Sequence, residues 1–202
     1  MAALIFKEWT GNRMTAYIYV KIILLSVLLA FALYYDIKEN KIKNYVSIPA
    51  AIAGFAVNTL ENGLSGFVFS VKGWIVPVAC LVLFYLINVM GAGDIKLFAS
   101  IGSIMGLSFT GYSFVYSVYI GGIIAIIILI RKGILISRFK YLFNYLRYTL
   151  FTGRITEYCH KDSKRYKFPF SLAIVPGTFL QIVFTLLHLR GVTLNAGGVM
   201  GF

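Results

Sequence analysis

Acidic side chains are scarce in this 202-residue chain, which makes their positions informative. The carboxylates are Glu8, Asp36, Glu39, Glu61, Asp94, Glu157 and Asp162. Five of them read as solvated or loop charges. Asp36 and Asp94 differ because each directly adjoins an apolar run, and an ionisable group at a membrane-entering segment marks a functional site by default. Two carboxylates brought within a few ångströms do not both ionise comfortably, since like charge and partial desolvation raise one pKa while the other stays low. One group then serves as general base for a water and the other as the acid that polarises or protonates an attacked amide, so the pair is suited to peptide hydrolysis. Each residue also has a plainer reading. Asp36 is then a solvated carboxylate at a helix end beside Lys38, and Asp94 an N-cap of the short helix that follows it.

The elements that must position these acids are set by composition. Hydrophobic residues make up 59% of the chain and charged residues 13%, which argues against a soluble globular domain. A span needs about 20 mostly apolar residues to cross roughly 30 Å of hydrocarbon. Six runs qualify as candidates, approximately Ala16 to Tyr35, Tyr45 to Leu60, Gly73 to Met90, Ile95 to Phe109, Tyr112 to Ile130 and Phe168 to Leu189. The expected fold class is therefore an all-α polytopic membrane protein with six transmembrane helices, forming one membrane domain over residues 1–202. Ala30-Phe31-Ala32 late in the first run resembles a signal-peptidase site, but the length of the run favours a transmembrane helix. Gly91-Ala92-Gly93-Asp94 separates the third and fourth runs and predicts a non-helical turn at a membrane face, a backbone tolerated there only where protein or a water-filled cavity satisfies it.

A net charge of +12 invites a nucleic-acid reading, yet the placement of the charges points elsewhere. Lys38, Lys41, Lys43, Lys96 and the ten basic residues from Arg131 to Lys167 fall on one side of the six runs, fourteen of the nineteen Lys and Arg in all. The positive-inside rule puts that side in the cytoplasm and both termini outside. Asp36 and Asp94 then share the cytoplasmic face of the cell membrane, the lipid bilayer is the main partner, and no nucleic acid is implied. Residues 131–167 read as a basic cytoplasmic segment, an amphipathic interfacial helix carrying Leu135, Phe139, Leu142, Leu146 and Leu150 on one face, followed by a polar loop. It serves either as a topology anchor on anionic headgroups or as the border of a substrate entrance. Cys80 and Cys159 provide neither a disulfide framework nor a four-ligand zinc site, and no His-Glu-x-x-His is present, so no metal is expected.

The motifs around both acids resemble those of a known family. Gly91-Ala92-Gly93-Asp94-Ile95-Lys96-Leu97, then Ala99 and Ile101-Gly102, is similar to the signature of the type IV prepilin peptidases, which include the archaeal preflagellin peptidases. Asp36 followed by Ile42-Lys43-Asn44 resembles the family's other motif, an Asp some six residues before Ile-Pro-Asn, and Phe168-Pro169-Phe170 leading to Ala173 and Gly177 resembles its closing pattern. The resemblance implies a GxGD-type intramembrane aspartic protease core without metal or bound cofactor. It implies removal of a short basic leader from pilin-like precursors at the cytoplasmic face. Asp36 and Asp94 would be the catalytic pair, with Gly91, Gly93, Lys96 and Asn44 as supporting motif residues. Two departures matter. Lys43 stands where the family usually has Pro, and Asp36 and Asn44 are only 8 positions apart with no Cys-x-x-Cys, leaving no room for the zinc-binding segment that accompanies N-methylation in large members. The expectation is peptidase without methyltransferase, as in the short forms that serve Tad-type pili.

Competing readings use the same residues. A rhomboid-like serine protease would rely on Ser103 and His188, the latter near the outer end of the sixth run. A transporter or proton-coupled channel subunit would use Asp36 and Asp94 as relay groups, although paired interrupted repeats are missing from the sequence.

Overall fold

Helix phase decides which residues face inward. On the first helix Leu25, Leu29, Ala32 and Asp36 recur at intervals of three and four and are all buried, so the stripe that seats the helix on its neighbours also carries Asp36 inside. The computed structural model describes residues 2–39, 42–87, 89–131, 133 and 169–189, with backbone alone for 2–15 and 188–189. The helices are α1 (Ala2–Glu39), α2 (Asn44–Leu86), α3 (Ala92–Met105), α4 (Leu107–Arg131) and α5 (Ser171–Leu189). The protein is all-helical among the described residues. Three segments, Ala16–Glu39, Asn44–Leu86 and Leu107–Arg131, are long and apolar enough to cross a membrane, and Ser171–Leu187 is a shorter apolar helix. Most of the segment 131–167 lies outside the described residues, as does Phe168.

α2 is a hairpin of two arms. Gly63 has φ 60° and ψ −134°, a left-handed backbone that breaks the helix where a side chain would be strained. Asn58 Nδ2 donates to Ser70 Oγ at 2.8 Å across twelve positions, a separation of about 18 Å in a straight helix. The chain therefore doubles back at Gly63. The second arm runs from Gly63 to Leu86, starting well before Gly73 and ending before Met90, because the reversal, not the apolar run, sets its start.

α3 is the centre of the bundle. From Leu97 to Ile104 every residue is buried, as expected for a helix surrounded on all sides. It runs parallel to the first arm of α2, since Lys96 meets Asn44, Ser100 meets Ser47 and Asn58 meets Ile104 in advancing register. It runs antiparallel to the second arm, where Gly73 and Gly102 touch backbone to backbone: a Cβ on Gly73 would lie 2.0 Å from the Gly102 carbonyl oxygen. Its 14 residues span only about 21 Å, and it stops at Gly106, whose φ of 88° starts the next reversal. Phe109, expected in the fourth run, accordingly lies in α4.

The α3 C-terminus leaves backbone carbonyl acceptors free inside the bundle, and these need hydrogen-bond donors. Asn58 Nδ2 supplies them, 2.9 Å from Ser103 O and 3.1 Å from Ile104 O, and Ser70 Oγ donates to Ser103 O at 2.9 Å. α4 packs antiparallel on α5 through small residues, with Ser117 opposite Gly177 and Gly121 opposite Ala173, the close-approach pattern of membrane helices. Glu61, expected to be a solvated charge, instead forms an ion pair with Lys21 and ties α1 to the Gly63 end of α2, each side chain about a tenth exposed.

Candidate active site

Asp36 lies near the C-terminus of α1 and is 6% exposed. Its Oδ2 accepts the backbone N–H of Ser171 at 3.1 Å, a contact spanning 135 positions of sequence. That donor exists because α5 begins there. The Leu172 N–H turns back to Pro169 O, and Ala173 and Ile174 donate to Phe170 O, so the first-turn amide of Ser171 is the one that points out of the helix.

Asp94 belongs to a different helix end. The turn predicted across Gly91 to Asp94 is shorter than expected, because Ala92, Gly93 and Asp94 already form the first turn of α3. Gly91 is the N-cap, with extended φ −78° and ψ 148°, and Asp94 sits three positions on with Oδ2 accepting the Gly91 N–H at 3.3 Å. Asp94 is thus not the N-cap considered for it but the third helical residue, which accepts the N-cap amide, and its carboxylate is half-buried at the same end of the bundle as Asp36. The two acids are close enough to act on one another as like charges.

The glycines of the motif make this approach possible. A Cβ on Gly93 would stand 3.2 Å from Ile42 Cβ and 3.3 Å from Ile42 N, so α3 rests directly on the α1–α2 connection that follows Asp36. A Cβ on Gly91 would stand 3.2 Å from Asp94 Oδ2. The structure also joins the other two predicted motif residues: Lys96 Nζ donates to Asn44 Oδ1 at 2.8 Å at the exposed mouth of the site.

Lys43, the departure from the Pro of the family pattern, adopts φ −80° and ψ 145° as N-cap of α2. A proline ring holds φ near −65 ± 15°, so Lys43 retains the backbone that Pro would impose. Its ammonium donates to Glu39 Oε1 at 2.6 Å and lies over the Tyr35 and Tyr45 rings at 5.3 and 5.6 Å. The hydrogen bond to Glu39 raises the Lys43 pKa above its ordinary value.

A groove of about 460 Å³ lies between α1 and the first arm of α2, lined by Leu24, Phe31, Tyr35, Tyr45 and Pro49 among others. Asp36 is absent from its lining. It follows the lipid-facing side of α1, one residue's rotation away from the stripe that ends in Asp36. Ser103 Oγ donates to Ser100 O at 2.8 Å inside the bundle, and the His188 side chain lies outside the described residues. Among the described residues no three His, Cys, Asp or Glu side chains gather where a metal ion could sit. The site residue that the sequence reading did not assign is Ser171; its one signal was the Phe168-Pro169-Phe170 pattern just ahead of it.

Two carboxylates, Asp36 buried and Asp94 half-buried, thus lie at one end of an apolar helical bundle. The model of the type IV leader peptidase family matches residues 23–126, about half of the chain, spanning both acids and their motifs, and the chain belongs to that family. It is accordingly a protease with prepilin leader peptidase activity in the general sense of the family. No curated protein and no solved structure was found to match the chain.

Proposed function

We propose that the protein is an intramembrane aspartic endopeptidase that removes the short basic leader of pilin-like precursors at the cytoplasmic face, with Asp36 and Asp94 as the catalytic pair. The observation that carries this reading is the convergence of the two acids, from α1 and α3, at one end of the bundle. One carboxylate takes a proton from water as the oxygen attacks the scissile carbonyl carbon, and the other gives a proton to the carbonyl oxygen. Collapse of the tetrahedral intermediate breaks the C–N bond, with the leaving nitrogen reprotonated by the group that first acted as base. No step requires a cofactor.

The supported topology is a single domain of six crossings. The two arms of α2, together with α1, α3, α4 and α5, supply six helical runs alternating in direction, and the helix ends carrying Lys38, Lys43, Lys96 and Arg131 share the Asp36 end. With that end cytoplasmic, both termini lie outside. The 8-position spacing from Asp36 to Asn44 supports peptidase activity without N-methylation. Asp36→Asn and Asp94→Asn should each lower leader cleavage of a co-expressed precursor pilin by about 10²-fold or more while the protein still inserts in the membrane. Normal cleavage by either variant overturns the pair, and a methylated mature N-terminus in mass spectra overturns the single activity. The relay reading predicts no cleavage by the unaltered chain.

A further inference from the structure

We propose that the N-terminal turn of α5 is part of the catalytic apparatus: the Ser171 amide is the positioning group that fixes the Asp36 carboxylate, committing Oδ2 to the scaffold and leaving Oδ1 as the oxygen that works on water. This rests on the peptidase reading above and adds a residue and an atomic role to it.

Asp36 lies three residues before the end of α1, and among the described residues its own helix provides no hydrogen-bond donor to its carboxylate. The contact that holds it comes from the far side of the bundle at 3.1 Å. A carboxylate so deeply buried needs a donor, and a backbone amide is the most rigid kind, because it has no side-chain rotamers to lose. The amide is free for the task by elimination, since the other first-turn donors of α5 are engaged with Pro169 and Phe170 carbonyls. It also sits at the helix terminus whose dipole favours an anion. The Ser171 hydroxyl is dispensable to this geometry. The residue is fully buried, and its Oγ has no hydrogen-bond partner among the described residues. What matters at position 171 is therefore the main chain, not the side chain. The Asp94 carboxylate is held differently, by the Gly91 amide of its own turn at 3.3 Å, so the two acids have separate anchors on separate helices. The approach of α5 to α1 sets Asp36, and the seating of α3 on Ile42 sets Asp94.

Position 171 is the first helical residue of α5, where proline is tolerated because its missing N–H has no role within the helix. Ser171→Pro thus removes the anchor while keeping the helix. Leader cleavage should lose about tenfold or more in kcat with KM within about twofold, because a misplaced base slows the reaction without weakening substrate binding. Ser171→Ala and Ser171→Gly keep the amide and should stay within about twofold of the unaltered chain. Should the proline variant fail to accumulate, an ester in place of the 170–171 amide bond, introduced with an α-hydroxy acid during translation, removes the same N–H. Equal losses for Ser171→Ala and Ser171→Pro, or undiminished kcat in the proline or ester variant, refute the positioning role while leaving the Asp36–Asp94 pair intact. An unaltered chain that does not cleave refutes the peptidase reading and the positioning role with it.

Discussion

Asn58→Ala is the substitution that most directly tests how α3 is held. Asn58 is 1% exposed, and its Nδ2 stands 2.8 Å from Ser70 Oγ, 2.9 Å from Ser103 O and 3.1 Å from both Gly54 O and Ile104 O. An amide has two hydrogens, so two of these four oxygens are served at a time. Hydrogen bonds between membrane helices contribute on average about 0.6 kcal/mol and at most about 1.7 each, so two bonds amount to roughly 1–3 kcal/mol. Ser103 O keeps the Ser70 hydroxyl when the amide is lost. Ile104 O does not, and leaving a buried acceptor unpaired costs about 1–3 kcal/mol more. The expected loss is about 2–6 kcal/mol, read from equilibrium unfolding in bicelles. Ser70→Ala should lose less, because Asn58 still reaches Ser103 O. Asn58→Asp should lose more, since it turns a carboxylate oxygen toward carbonyl oxygens. An Asn58→Ala protein within about 0.5 kcal/mol of the unaltered chain would show that α3 ends without need of this cap.

Three other outcomes follow from the geometry. Gly91→Ala keeps an allowed backbone, φ being −78°, but sets a methyl 3.2 Å from Asp94 Oδ2, so leader cleavage should fall about tenfold with little change in unfolding stability. Glu61→Gln should cost about 3 kcal/mol in bicelle unfolding by stranding the Lys21 charge, whereas the paired change K21M/E61L should recover most of it; equal losses would refute the ion-pair argument. Lys43→Pro should alter stability by no more than about 1 kcal/mol and leave cleavage near normal, because the existing φ of −80° already suits a proline and the lost Glu39 contact is exposed.

Much of this architecture was legible because the signals are local. Apolar runs located every described helix, two of the runs being short of membrane length, and the two acids stood out because so few others exist. The Gly91-x-Gly93-Asp94 spacing also carried its meaning openly: both glycines meet atoms that a Cβ would crowd. The boundaries were less legible. The second and third runs were separated by an apparent gap from Leu60 to Gly73, yet both arms continue almost to Gly63, because Asn62, Ser65 and Ser70 break the apolar pattern without breaking the helix. Ser70 belongs to the buried network around Asn58, so polarity there marks an interhelical hydrogen bond and not a loop. Glu61 misled for the same reason: its partner, Lys21, is 40 positions away.

The contact least visible in the sequence is the one that anchors Asp36. A side-chain motif betrays itself by residue type, but a backbone donor is present at every position except proline, and only the packing of helices selects which one is aimed at the acid. The selection depends on two close approaches that side-chain volume would prevent. Gly177 lets α5 lie against Ser117 of α4, where an added Cβ would be 2.5 Å from Ser117 Oγ, and Ala173 fits against Gly121. These small residues fix the position of α5, and thereby where its first amide points. The same logic applies on the other side of the site, where Gly73 and Gly102 bring the second arm of α2 against α3 and Gly93 seats α3 on Ile42. The two carboxylates are therefore held at one end of the bundle because small residues at the helix contacts leave little slack between the helices that carry and anchor them. A bulkier residue at Gly177 should act on Asp36, and one at Gly102 on the helix of Asp94, each without touching the acid itself.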